Sequence, residues 1–232
     1  NQINNIVKQF NYSFRPVLLI GGGVRLGRAG KAVNILIKKL KIPVVTTWTG
    51  LDCVGFNNRY LIGPIGVYGT RYANFAVQNC DLLISIGARL DTRVTGGKPE
   101  TFARKAFKII VDIDKSELLK RRGLKPNIAI NTHSKIFSDL LLKKNKSIKK
   151  NSKQITEWLN KCLYWKKMYP IVLEKYYNQK KYVNPYVFFS KLSEKLENKD
   201  IIVADTGAHL TWFMQTFKVK LGQRIISAFG NS

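Results

Sequence analysis

Three glycine-centred turns and one histidine carry the side chains that could do chemistry in this sequence. Gly21-Gly22-Gly23 follows the apolar run Arg15 to Ile20, with Gly27 just beyond it. Gly87-Ala88-Arg89-Leu90-Asp91 follows Asp81 to Ile86, and Asp205-Thr206-Gly207-Ala208-His209 follows Ile201 to Ala204. Glycine turns let a ligand approach main-chain N–H groups closely, and such groups beside Arg89 suit a diphosphate. A tight turn with no ligand would need the same glycines. Asp112 and Asp114 end a further apolar run, where charged residues suit a nucleotide site or merely cap the next helix. Two common nucleotide templates fail. A G-x-G-x-x-G fingerprint needs two residues between its last two glycines, but three separate Gly23 from Gly27, and Thr46-Thr47-Trp48 stands where an acid should hold the ribose. For a P-loop the Gly22 to Gly27 gap is right, but Arg28 and Ala29 replace the lysine and hydroxyl residue that would reach phosphate and magnesium.

These turns need elements to hold them. Arg15 to Ile20, Ile42 to Thr47, Asp81 to Ile86, Lys108 to Ile113 and Asn127 to Ile130 read as five buried strands. Between them, Leu26, Ala29, Val33, Leu36, Ile37 and Leu40 form one face of a helix, Gly69 opens another, and Lys135 to Leu142 makes a third. Alternation of this kind implies an α/β fold with a parallel sheet, whose ligands bind beyond the carboxyl ends of the strands. Residues 143 to 182 turn Lys-rich, with a helix near Trp158 to Met168, and read as a connector. Asn184-Pro185 then gives an N-cap with proline at the first helical position, and a second α/β unit begins near residue 183. The expected organisation is a nucleotide-binding domain at 1–142, a basic linker at 143–182, and the incomplete start of another domain at 183–232. Asn1 to Phe10 is polar and lacks an initiator Met, and the chain stops just past an apolar run, so both ends read as internal to a longer chain.

Composition narrows the function classes. No apolar run reaches 18 residues, so no membrane span is expected. Cys53, Cys80 and Cys162 form no C-x-x-C pair, which argues against a zinc site or disulfide framework and suits a reducing cytoplasm. The net charge of +26 is mostly lysine spread along the whole chain, densest at Lys143 to Lys153. That distribution reads as a solvated surface and not a nucleic-acid interface.

The stretch Gly66-Val67-Tyr68-Gly69-Thr70-Arg71-Tyr72-Ala73-Asn74, continuing through Asp81 to Gly87-Ala88-Arg89-Leu90-Asp91-Thr92-Arg93-Val94-Thr95-Gly96, carries a more specific signal. It resembles the central domain of acetolactate (acetohydroxyacid) synthase large subunits, which are thiamine-diphosphate enzymes. That family shows a Gly-Met-His-Gly turn, an Ala-Asn helix and a Gly-x-Arg-Phe-Asp-Asp-Arg-Val-Thr-Gly segment in this order. The similarity runs from about Arg15 to Lys135 and resumes at Asn184. Asp205 to Trp212 is similar to the Gly-Gln-His-Gln-Met-Trp opening of the family's diphosphate-binding domain.

The resemblance implies an FAD-type site at Gly22, Thr47, Trp48, Ile65, Gly66, Val67, Tyr68, Gly87, Ala88, Arg89, Leu90, Asp91, Asp112 and Ile113. It implies thiamine diphosphate contacts at Ala208, His209 and Gly230, and places Arg93 toward the substrate channel. Departures stand at Val67-Tyr68 for Met-His, Thr92 for the second Asp, Thr132-His133 for a later Gly-Asp, and Ala208 for Gln. Related thiamine enzymes use the central domain for ADP or for nothing, and His133 and His209 also read as ordinary helix-start residues. By resemblance the intact enzyme decarboxylates a 2-keto acid, expected to be pyruvate, and ligates the two-carbon unit to an acceptor carbonyl. The implied partners are thiamine diphosphate, magnesium held by residues beyond this chain, a homodimer or homotetramer, and a regulatory subunit. The family's catalytic glutamate also lies outside the chain, so these 232 residues alone are expected to be inactive. Two alternatives stay open: a related lyase or transferase with another acceptor, as in surface-sugar biosynthesis, and a non-catalytic nucleotide-binding module.

Overall fold

The computed structural model describes residues 2–119, 123–149 and 151–228. The chain opens on α1 (Gln2–Tyr12), which sequence polarity had hidden. Ile6, Val7 and Phe10 lie on one face and are buried, while the asparagines, glutamines and lysine fill the other. Six strands follow: β1 (Pro16–Ile20), β2 (Val44–Thr46), β3 (Leu61–Pro64), β4 (Leu82–Ile86), β5 (Phe107–Asp112) and β6 (Ile128–Asn131). They form one parallel sheet in the order β3-β2-β1-β4-β5-β6. Every residue of β1 and β4 is buried, so both faces of the sheet centre are covered, as a parallel sheet requires. The expected α/β class and parallel sheet are those observed.

The helices between strands are α2 (Gly23–Leu26), α3 (Gly30–Leu40), α4 (Arg71–Asn79), α5 (Thr92–Thr95), α6 (Lys115–Leu119) and α7 (Ser134–Lys143). The helix expected from Leu26 to Leu40 is two helices. Gly27 ends α2, Arg28 takes a left-handed φ of 47°, and α3 restarts at Gly30. That break turns Leu26 away from the face it was assigned to and leaves it 88% exposed. Strand β3 also escaped the sequence reading. Its four residues include Gly63 and Pro64, which look like turn residues, and proline is tolerated here because β3 is an edge strand.

Helix α8 (Ser152–Met168) starts well before Trp158, capped by Asn151, whose side chain accepts from the Gln154 N–H at 3.2 Å. Ile155, Trp158, Leu159 and Cys162 enter the same core as the sheet, and the Trp158 indole donates to the Pro16 carbonyl at 3.2 Å. Lys153, Lys161 and Lys167 of this helix are exposed, while Lys166 turns inward and its Nζ donates to the Leu61 carbonyl at 2.9 Å.

Beyond it come α9 (Pro185–Lys195), β7 (Ile201–Val203), α10 (Ala208–Thr216) and β8 (Arg224–Ile226). Asn184 caps α9 through the Tyr186 N–H at 3.0 Å, with Pro185 at the first turn. β7 and β8 pair in parallel, and a second core gathers Leu210, Phe213, Met214, Phe217 and Val219 with Leu51 from the first unit. Among the described residues no helix is long and apolar enough to cross a membrane.

Candidate functional site

The strand order reverses between β1 and β4, and the turns leaving these strands meet there. In such sheets ligands bind at that switch point. The Gly23 N–H donates to the Gly87 carbonyl at 2.9 Å, and the Gly21 N–H to Ile86 at 3.0 Å. A Cβ on Gly21 would stand 2.2 Å from the Gly87 oxygen. The two glycine turns therefore pack main chain against main chain, and that contact alone demands glycine at Gly21. Gly22 faces the Thr49 side chain, which a Cβ would meet at 2.9 Å.

One wall of the site grows from β2, β3 and β4. Thr47 and Trp48 open a 3-10 helix, Trp48–Cys53, with the Thr47 and Thr49 hydroxyls 3.0 Å apart. After β3, Ile65 is buried, and Gly66 takes a φ of 124° that other residues rarely adopt. Asn74 of α4 holds this turn from both sides, donating to the Gly66 carbonyl at 2.9 Å and accepting from its N–H at 3.1 Å. Asn74 was not among the candidate residues, although its helix stood in the motif. Val67 and Tyr68 follow, 57% and 54% exposed, and the Tyr68 ring stacks on Trp48 with centroids 6.0 Å apart. After β4, Leu90 has a φ of 53°, and Asp91 caps α5 by accepting from the Arg93 and Val94 N–H groups at 2.9 and 3.2 Å. The Arg93 carbonyl accepts from Val67 N–H at 2.8 Å. Main-chain bonds thus set Arg93 beside the aromatic pair without the second Asp of the family pattern.

The opposite wall is the start of α10. Gly207 has a φ of 124°, no side chain caps the helix, and no acid occupies its first turn. A Cβ on Gly207 would meet the His209 ring at 3.3 Å. Helix N-termini with uncapped N–H groups and no acid suit anionic groups. The cavity between the walls measures about 680 Å³ and is lined by Trp48, Tyr68 and Arg93 on one side and by Thr206, Gly207, Ala208 and Thr211 on the other. That volume lies in the range of ligand sites. A side recess of about 90 Å³ reaches Thr47, Ile65 and Asp91. Gln215 of α10 donates to the Tyr68 carbonyl at 2.9 Å and ties the walls together. Gly230 lies outside the described residues.

Toward β5 the line continues through Ala88, Arg89, Leu90 and Asp112, but the space falls to about 20 Å³. Arg89 pairs with Glu117 at 3.1 Å with its side chain 69% exposed. Asp112 accepts from the Asp114 N–H at 3.0 Å, and Asp114 accepts from Ser116 at 2.8 Å, so both carboxylates serve the turn into α6. Ile113 is 68% exposed. His133 caps α7, its ring accepting from the Lys135 N–H at 3.3 Å. Val67, Tyr68 and Ile113 are exposed apolar side chains, and the Arg89–Glu117 pair lines the small space beside Asp112. Two wider clefts, about 850 and 860 Å³, lie along α3, away from the strand ends. Among the described residues no group of three His, Cys, Asp or Glu could hold a metal ion. Burial pushes the Cys53 and Cys80 thiols up to about 12, and neighbouring carboxylates add to the shift, so neither is a ready nucleophile.

The family model described as "Thiamine pyrophosphate enzyme, central domain" matches residues 3–140. The chain belongs to this family. A protein of Cyanidium caldarium named acetolactate synthase large subunit is 37% identical over 229 residues, covering 98% of this chain and 38% of the relative. A probable acetolactate synthase large subunit of Methanocaldococcus jannaschii is 33% identical over 236 residues, covering 99% and 38%. The acetolactate synthase isozyme 2 large subunit of Escherichia coli is 46% identical over 108 residues, 47% of this chain and 20% of that protein. The chain thus spans about 38% of the length of the first two. Beyond that family, the chain is similar in sequence to these proteins named acetolactate synthase large subunit.

Proposed function

We propose that this chain supplies the central domain, at 1–142, and the opening of the thiamine-diphosphate-binding domain, at 183–232, of a carboligase that makes acetolactate from pyruvate. The observation that carries the reading is the cavity with a cation, Arg93, on one wall and an uncapped helix start, Gly207 and Ala208, on the other. Thiamine diphosphate, when bound, supplies the electron sink that lets a 2-keto acid lose carbon dioxide. The first-turn N–H groups of α10 would hold its diphosphate, with Ala208 and His209 beside it, and Gly230 is a further proposed contact that lies outside the described residues. Arg93 pairs with a substrate carboxylate, and Trp48 and Tyr68 close the apolar side and exclude water. An FAD-type group lies along Gly22, Thr47 to Trp48, Ile65 to Tyr68, Gly87 to Asp91, and Asp112 to Ile113, as a structural neighbour of this cavity. Magnesium is held by residues outside the chain, and the working unit is a homodimer or homotetramer served by a regulatory subunit.

The test uses the intact protein with thiamine diphosphate, magnesium and FAD. Pyruvate should yield acetolactate, and Arg93→Ala should raise KM for pyruvate far more than it alters the affinity for thiamine diphosphate. Consumption of pyruvate with transfer to a different carbonyl would favour the related transferase reading, and absence of any thiamine diphosphate binding would remove the reading altogether. The 232 residues alone, which span about 38% of their relatives, should show no turnover with the same cofactors.

A further inference from the structure

Asp52 stands outside every residue assigned to the site, yet its carboxylate is only 3% exposed and joins three elements. It belongs to the 3-10 helix whose other end carries Trp48 and Thr49. From α2, directly after the glycine turn, the Arg25 Nε donates to it at 2.8 Å, and a second Arg25 nitrogen donates to the Asp52 carbonyl. From β8, the Ile225 N–H donates to its other oxygen at 3.1 Å, and Arg224 lies 3.6 Å away. A buried carboxylate is costly unless cations and N–H donors surround it, and removing a partner leaves the charge stranded. Here the cations come from opposite sides, Arg25 from the large sheet's unit and Arg224 from the small sheet. Without the carboxylate, two guanidinium groups would face each other across the seam. Two further bonds across it, Phe56 N–H to the Val219 carbonyl at 2.7 Å and Gln215 to Tyr68, carry no charge.

We propose that Asp52 is a positioning residue: a charge clamp that holds β8, and with it α10, against the 3-10 helix. The width of the Arg93–Gly207 cavity then depends on the clamp, because Trp48 on one wall and the α10 start on the other belong to the elements it joins. The proposal rests on that cavity holding thiamine diphosphate. Asp52 touches no ligand itself, and its effect reaches the cavity through the seam.

The intact protein, titrated with thiamine diphosphate and magnesium and read by quenching of Trp48 and Trp212 fluorescence, tests it. Asp52→Asn and Arg224→Met should each weaken binding about tenfold or more, while Arg224→Lys, which keeps the charge, stays within about threefold of wild type, tenfold being about 1.4 kcal/mol. Hydrogen exchange at the Ile225 amide should accelerate in the first two variants and not in the third. Arg224 is half exposed, so its variants report even if Asp52→Asn fails to fold. Leu40→Ala, in the core far from the seam, should lower Tm without moving the affinity. The clamp is overturned if Arg224→Met binds within twofold of wild type, or if Arg224→Lys loses as much as Arg224→Met. Wild-type protein that binds no thiamine diphosphate overturns the cavity reading as well, while Ile225 exchange still reports whether the seam is held by charge.

Discussion

Glycines with a left-handed φ separate contact from conformation at single positions. At Gly66 a Cβ would fall 2.5 Å from the Arg93 carbonyl oxygen, in addition to the strain of a φ of 124°. At Gly96 the φ of 83° is strained in the same sense, but nothing lies within 4 Å of the new atom. Gly66→Ala should therefore destabilise by about 3 kcal/mol and Gly96→Ala by about 1 kcal/mol, compared as urea midpoints at equal m. Equal losses would mean that the Gly66–Arg93 contact is soft, and that Arg93 is not held by its main chain. A second residue makes a pH signature. Burial pushes the Lys166 ammonium down to about 8 from its ordinary 10.5, while its Nζ donates to the Leu61 carbonyl at 2.9 Å. The folded chain thus releases this proton first, and between pH 8 and 10.5 the unfolded chain holds more protons. The lysine's contribution to stability rises with pH across that window, by at most about 1.4 kcal/mol per unit, and its burden is fully present below pH 8. Lys166→Met should flatten that rise in denaturant titrations run at about pH 7.5, 9 and 10; an unchanged slope would assign it to another group.

Elements decide which residues count as core. Leu159 on α8 is 5% exposed and packs into the cluster built on β1 and α4, although its neighbours in sequence are mostly polar or charged. Leu159→Ala should cost about 2–5 kcal/mol, the range for buried leucine, whereas a solvated connector would lose almost nothing. Circular dichroism melts of the two proteins separate these outcomes. Five strands of the large sheet were legible in the sequence because apolar runs are what a sheet covered on both faces demands, even where, as in β2, only three residues pair. Helix α1 was not, since Ile3, Ile6, Val7 and Phe10 recur at helical spacing within a stretch whose average is polar. Strand β8 was hidden because it opens on Arg224, a charged, half-exposed residue, and carries only two apolar residues. For the site, glycine turns and the Arg93 segment could be read as a line of strand ends. Their use could not: the Gly21 and Gly23 contacts with Gly87, the Asp91 cap, the Asp112 turn and the Asn74 brace are long-range or main-chain facts that no spacing announces.

At the scale of the whole molecule, charge is the dominant feature. Forty lysines and arginines stand against 14 acids, so most cations have no acid available to pair with, and the folded chain holds them closer together than the unfolded one does. Ion pairs such as Lys135–Asp139 and Lys191–Glu194 are exposed on both sides and contribute little each. Repulsion among like charges acts over the Debye length, about 30 Å at 0.01 M salt and about 8 Å at 0.15 M, so added salt relieves it across the molecule while weakening only short, exposed pairs. Thermal midpoints of the chain should therefore rise from about 0.01 to 0.15 M sodium chloride, by about 2–4 °C for each kcal/mol of repulsion screened. Buried pairs respond less, so Arg25–Asp52 should survive the change. Chloride and sulfate at equal ionic strength should give similar gains at these concentrations, which distinguishes screening from the exclusion of kosmotropic salts that strengthens apolar burial. A midpoint that falls with salt would mean that paired charges, and not the excess of lysine, dominate the electrostatics of this fold.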